Sequence, residues 1–195
     1  EGWKSWGKFP DCVRRSPDSV RAELFPSAKP GEWPCAGDGH IDLDPAHGAF
    51  AVSTARLCGG FAETGTIRTP SFRFDVGGVA ATAFALSLDG LPLERSRRIL
   101  VSHLTDVQQT GATYSDRTRK VLTGWGSVPR LMRAATGRCA VAIAAGEARV
   151  YALDAAGNRL RTVPSVRNAD GFVEFDCAVA ADPSAATWEY ELEVR

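Results

Sequence analysis

The chain has 195 residues, 44% of them hydrophobic and 24% charged, which is a globular composition and not a disordered one. Lys plus Arg and Asp plus Glu each number 23, so the formal net charge is zero, which argues against a nucleic-acid binder and against a polybasic membrane surface. The longest candidate for a membrane span, Ala80 to Leu88, is strand-sized and far short of the roughly 20 residues needed.

The length fits one ordinary domain, whose core is large enough to fold without staples. The chain begins at Glu1, with no Met and no signal-peptide pattern, and so reads as processed or excised. Five cysteines stand at positions 12, 35, 58, 139 and 177, with no C-x-x-C among them. That spacing argues against a structural zinc site and against a thioredoxin-type redox pair. Cys139 and Cys177 sit in apolar, strand-like runs and are expected buried and reduced.

Residues 1–40 read as a loop-rich leading segment packed on the domain. Trp3, Trp6 and Trp33 are interleaved with Gly and with Pro10, Pro17, Pro26, Pro30 and Pro34, too many breakers for a long helix. The one helical candidate is Asp18 to Leu24, with Pro17 at its first position.

From residue 41 to 195 the rhythm is that of strands. Phe50 and Val52 alternate with small residues, and Phe72, Phe74 and Val76 alternate with Arg73 and Asp75. Phe84, Leu86 and Leu88 alternate with Ala85 and Ser87. The last run is the clearest: Trp188, Tyr190, Leu192 and Val194 alternate strictly with Glu189, Glu191 and Glu193, as in a half-buried antiparallel strand. Asp89-Gly90 reads as a tight link out of a strand, and Asp154 to Asn158 as a five-residue hairpin loop between 148–153 and 159–163. Many short, turn-bounded strands predict an all-β fold, an antiparallel β-sandwich of jelly-roll or immunoglobulin-like type, with a closed barrel second.

Motifs for catalysis are sparse. G-x-S-x-G, H-E-x-x-H, the phosphate-binding loop and G-x-G-x-x-G are all missing. His40, His47 and His103 show no metal-ligand spacing. Asp38, Asp42 and Asp44 crowd one segment, with Asp42 and Asp44 on one face of a strand, an oxygen-rich pattern compatible with structural calcium. The competing reading is a solvated acidic edge strand. Glu63, Glu94, Asp106 and Asp116 are the carboxylates available for glycosidic hydrolysis, but Glu94 sits among Arg95, Arg97 and Arg98, which favour its charged form. Trp125, between Gly124 and Gly126, and Tyr114, between Thr113 and Ser115, are candidate sugar-stacking aromatics, with Trp33 a third. For Trp125 and Tyr114 we favour the competing reading, that each plugs an end of the sandwich.

Four blocks, taken together, carry a resemblance. They are Val52-Ser-Thr-Ala-Arg-Leu-Cys-Gly-Gly-Phe61, Phe84 to Leu93, Ser96 to Gly111 (S-R-R-I-L-V-S-H-L-T-D-V-Q-Q-T-G) and Trp125 to Met132 (W-G-S-V-P-R-L-M), followed by the hairpin from Val150 to Arg159. In order and spacing they resemble the C-terminal β-rich domain that follows the catalytic TIM barrel in bacterial glycoside hydrolases. Ser53, Ala55 and Gln109 depart from the family's Asp, Pro and Asn.

The resemblance covers roughly residues 40 to 165, a typical domain's worth. It implies an accessory role, because the acid and nucleophile of such enzymes lie at the barrel's strand ends and a barrel needs roughly 250 residues. It therefore implies no catalytic residue in this chain and no cofactor beyond the calcium already weighed. The implied partner is the catalytic domain of the parent hydrolase, with polysaccharide as a second partner if the exposed aromatics bind sugar. No nucleic acid or membrane is implied, and the location implied is extracellular or periplasmic. A self-standing glycosidase is the third reading and requires two carboxyl groups roughly 5 to 10 Å apart in a cleft.

Overall fold

The computed structural model describes residues 32–34, 40–44, 48–143, 145–179 and 187–195. In chain order the strands are β1 (Glu32–Pro34), β2 (His40–Asp44), β3 (Ala49–Ser53), β4 (Leu57–Ala62), β5 (Thr66–Arg68), β6 (Phe72–Val76) and β7 (Ala81–Ser87). After a 3-10 turn at Leu93–Arg95 come β8 (Arg98–Leu104), β9 (Val107–Thr110), β10 (Thr113–Tyr114), β11 (Leu122–Gly124), β12 (Ser127–Met132) and β13 (Ala135–Ala142). The remainder is β14 (Ala148–Leu153), β15 (Arg159–Val163), β16 (Ser165–Arg167), β17 (Phe172–Val179) and β18 (Glu189–Val194).

Two antiparallel sheets face each other, as the alternation anticipates. One has nine strands in the order β1-β2-β3-β4-β7-β8-β18-β14-β15, the other five in the order β16-β17-β13-β6-β5. The last strand, β18, is inserted between β8 and β14, so the C-terminal run is an interior strand of the larger sheet. Four short strands stand apart from both sheets. β9 pairs with β12 and β10 with β11, making residues 105–134 a hairpin arm between β8 of the larger sheet and β13 of the smaller.

A single apolar cluster joins the layers. Ala83, Ala85, Ile99, Val101, Val150, Tyr190 and Leu192 come from the larger sheet, and Phe72, Phe74, Cys139, Val141, Val173, Phe175 and Cys177 from the smaller. Small residues on β7 leave room for the phenylalanines opposite, which is the interdigitation a sandwich needs. Tyr190 fastens the two sheets. Its hydroxyl accepts from the Ala178 backbone N–H at 2.8 Å and donates to the Ala178 carbonyl at 3.3 Å, and its ring lies 5.5 Å from that of Phe175. His103, next to last on β8, is fully buried with its ring 4.8 Å from that of Phe74. Neither of its ring nitrogens has a hydrogen-bond partner among the described residues.

Cys58, Cys139 and Cys177 are buried free thiols. Desolvation raises the Cys139 thiol well above its ordinary range, which keeps it protonated and inert. The hairpin of β14 and β15 turns where expected, with the Asp154 N–H donating to the Asn158 carbonyl at 2.9 Å. Asp89 organises the link between β7 and β8, accepting from the backbone N–H groups of Leu91 and Arg97.

Two expectations need correction. Strand pairing begins earlier than residue 41, because β1 adds to β2 in register Glu32 with Asp42. For the same reason β2 is not an edge strand: Asp42 and Asp44 lie between β1 and β3. The helical candidate Asp18 to Leu24 and the tryptophans Trp3 and Trp6 lie outside the described residues.

Candidate functional site

The two sheets treat their outer faces differently. Outside the five-stranded sheet the centre is charged, with Arg73 and Asp75 on β6, Arg138 on β13, and Glu174 and Asp176 on β17, and Val166 on β16 is its exposed apolar residue. Arg138 bonds Glu174 at 2.8 Å and lies 3.6 Å from Asp176, an ordinary solvated face.

The nine-stranded sheet breaks that pattern. From β2 to β8 its outer face presents Leu43, Phe50, Val52, Leu57, Phe61, Phe84, Leu86, Leu100 and Leu104, all exposed or half-buried. Register aligns them in rows, Phe50 against Phe61 and Leu57 against Leu86, which in turn faces Leu100. The Phe50 and Phe61 rings stack at 6.4 Å. Gly59 makes the surface smooth, since a Cβ there would strike the Phe84 ring and the Ala83 carbonyl. Among the described residues no third layer covers this face.

Beyond β8 the same face turns ionic. Glu191 on β18 is only 5% exposed and is held by Arg98 and Arg159, each at 2.7 Å. The Arg159 hydrogen bond, with Arg98 behind it, lowers the Glu191 carboxyl below its ordinary range. Arg159 also lies over the Tyr151 ring at 4.0 Å.

The arm is the second feature. Its register slips between Ser127 and Arg130, so Val128 is left 79% exposed. Gly126 adopts φ +68°, where a Cβ would strike the Thr110 carbonyl and the Ala112 nitrogen. Trp125, just before it, is left 76% exposed and does not plug the sandwich. Tyr114 is half-buried and carries the Arg119 guanidinium 5.9 Å above its ring.

At the tip Asp116 accepts from the Thr118 backbone N–H and hydroxyl, bonds that lower its carboxyl below the ordinary range. Arg119 follows with φ +53°, uncommon for a residue with a side chain. It reaches back to Asp106 at 2.6 Å and donates to the Gln108 amide oxygen at 3.4 Å. The result is a shallow hollow of about 490 Å³ lined by Asp106, Gln108, Arg119, Leu131, Met132 and Arg133.

The other sequence candidates are scattered. Trp33 falls on β1, its side chain outside what the structure describes, and Asp38 lies outside the described residues altogether. Asp42 and Asp44 are exposed on β2, and no group of three or more His, Cys, Asp or Glu placed to hold a metal occurs among the described residues. Glu94 sits on the 3-10 turn, accepting from the Ser71 hydroxyl at 2.6 Å, while Glu63 is exposed after β4. Asp106 and Asp116 are on the arm, each engaged by its own neighbours.

Sequence reasoning named Trp125 and Tyr114 but not Gln108, Arg119 or Arg133. The available signal was charge: five cations and two carboxylates fall within residues 105–134 of a chain that is neutral overall. Comparison of the chain with protein-family models, curated proteins and solved structures finds no match.

Proposed function

We propose that the chain is a non-catalytic accessory domain of a bacterial glycoside hydrolase, seated against the catalytic barrel of that enzyme and sharing its exported location. The observation that carries this reading is the apolar outer face of the nine-stranded sheet. A solvent-facing antiparallel sheet alternates apolar with polar residues, as the five-stranded sheet does. Large contiguous apolar patches on a surface mark contact with another body. The ionic group of Arg98, Glu191 and Arg159 borders the patch, the arrangement of an apolar centre with a polar rim found at protein interfaces. The order of the sequence blocks supports a hydrolase barrel as the occupant.

The test is size-exclusion co-elution with a tagged glycoside hydrolase barrel from the same organism. We expect a complex with the wild-type chain and none with Leu86→Glu combined with Leu104→Glu. The reading falls if no barrel binds, or if the double variant binds unchanged.

A second reading, carbohydrate binding, has one specific observation in its favour. Trp125 stands 76% exposed on a projecting arm, where an indole ring is free to stack on the apolar face of a pyranose.

A further inference from the structure

We propose that the hollow on the arm seats a uronate unit of an anionic polysaccharide. This rests on the carbohydrate-binding reading and narrows it to sugars that carry a carboxylate.

Charge comes first. The chain is neutral overall, yet residues 105–134 hold Arg117, Arg119, Lys120, Arg130 and Arg133 against Asp106 and Asp116, so the arm is positive and the sandwich negative. Arg119 is already committed, bonded to Asp106 and Gln108. Arg133, lining the same hollow, has no side-chain hydrogen bond or ion pair among the described residues. A guanidinium pairs with a carboxylate through two parallel hydrogen bonds, which fixes the anion's orientation as well as its charge.

The rest of the lining suits a sugar ring. Leu131 and Met132 add apolar atoms to the lining, and the Gln108 amide, whose oxygen is taken by Arg119, can donate its N–H groups to ring hydroxyls. A concave surface that is partly apolar, with a few convergent polar groups, is the usual form of a small-molecule site. The turn at Asp116 holds Arg119 folded back over the hollow, so its wall is in place before a ligand arrives. Trp125 is on the same arm, eight residues before Arg133, so their backbones are at most about 29 Å apart. That span is within the reach of an extended oligosaccharide of several units. An aromatic platform and a guanidinium without a partner among the described residues, carried on one arm, select for a ring and a negative charge together.

The experiment is affinity electrophoresis of the whole chain in gels containing polygalacturonate or alginate. Fully methyl-esterified polygalacturonate is the control, because it keeps the ring and hydroxyls and removes the charge. We expect retardation by at least one acidic polymer and at least about tenfold weaker binding to the ester. Arg133→Gln is expected to weaken binding about tenfold. Arg133→Lys retains part of it, and Trp125→Ala weakens it. Arg68→Gln removes an exposed charge on β5, outside the arm, and is expected to bind as wild type. Thermal midpoints of all variants report that the sandwich is intact.

Equal binding to ester and acid overturns the inference while leaving neutral carbohydrate binding standing. Equal losses in Arg133→Gln and Arg68→Gln show diffuse attraction and overturn the site. If neither acidic polymer nor a panel of neutral glycans retards the chain, the carbohydrate reading itself falls and the inference with it.

Discussion

Replacing His103 by leucine removes an imidazole that the core holds in its neutral form. The ring is fully buried against Phe74, and desolvation pushes its pKa down from 6.5 to about 4. In the unfolded chain the same group titrates near its ordinary value. Between those two values the unfolded state binds a proton that the folded state refuses, so stability is fully present above pH 6.5 and is lost as pH falls toward 4. Each pKa unit corresponds to about 1.4 kcal/mol. Linkage then gives a loss of about 2 kcal/mol between pH 7.5 and pH 5, approaching about 3 kcal/mol at pH 4.

Carboxylates held below their ordinary values, such as Glu191 and Glu174, weaken the fold chiefly at lower pH, as they protonate. The interval from pH 7.5 to pH 5 therefore isolates the imidazole. The assay is urea unfolding of wild type and His103→Leu at both pH values, monitored by circular dichroism. Leucine also removes two ring nitrogens that lack partners among the described residues, each costly to bury, so the variant is expected to match or exceed wild type at pH 7.5. Its stability should change by less than about 0.5 kcal/mol on going to pH 5. Parallel losses in the two proteins would refute the reasoning, as would an NMR titration of folded His103 near pH 6.5.

Glu191→Ala leaves Arg98 and Arg159 without the buried carboxylate they share, and should cost about 1 to 3 kcal/mol by urea unfolding. Because both arginines are partly exposed to water, a cost above that range would point to some further role. Tyr190→Phe keeps the ring against Phe175 but strips Ala178 of its cross-sheet partner, and a loss of about 1 to 2 kcal/mol in the same assay is expected. Trp125→Phe should leave the thermal midpoint unchanged and lower the iodide-quenchable part of the tryptophan fluorescence relative to wild type. Undiminished quenching in that variant would mean that the indole is shielded.

The strands were legible wherever polarity alternates at period two. Phe72 to Val76 and Tyr190 to Val194 each commit one face to the core, and a slip of one residue would reverse every side chain, so pattern alone fixes both element and face. Asp154 to Asn158 declared its turn by composition. The β7 run was legible only in part. Phe84 and Leu86 alternate with Ala83 and Ala85, so both faces are apolar, and the sequence did not state which one the sandwich covers. Trp125 between two glycines was equally compatible with a plug and a platform. The register slip on β12 and the left-handed turn at Gly126 settled its direction.

What residues 72–76 and 189–194 determined by themselves was local: strand, period and inward face. Which strands become neighbours depends on pairings between residues far apart in the chain, and local pattern carries no information about them. The insertion of β18 beside β8 brings Glu191 to Arg98 across 93 positions and buries a carboxylate that the alternation had assigned to solvent. The return of Arg119 to Asp106 likewise forms the arm's hollow from residues that, read in sequence, are a scatter of charges on a loop. Only the folded chain could decide these, because the energy of an ion pair depends on separation in space and on the water excluded around it.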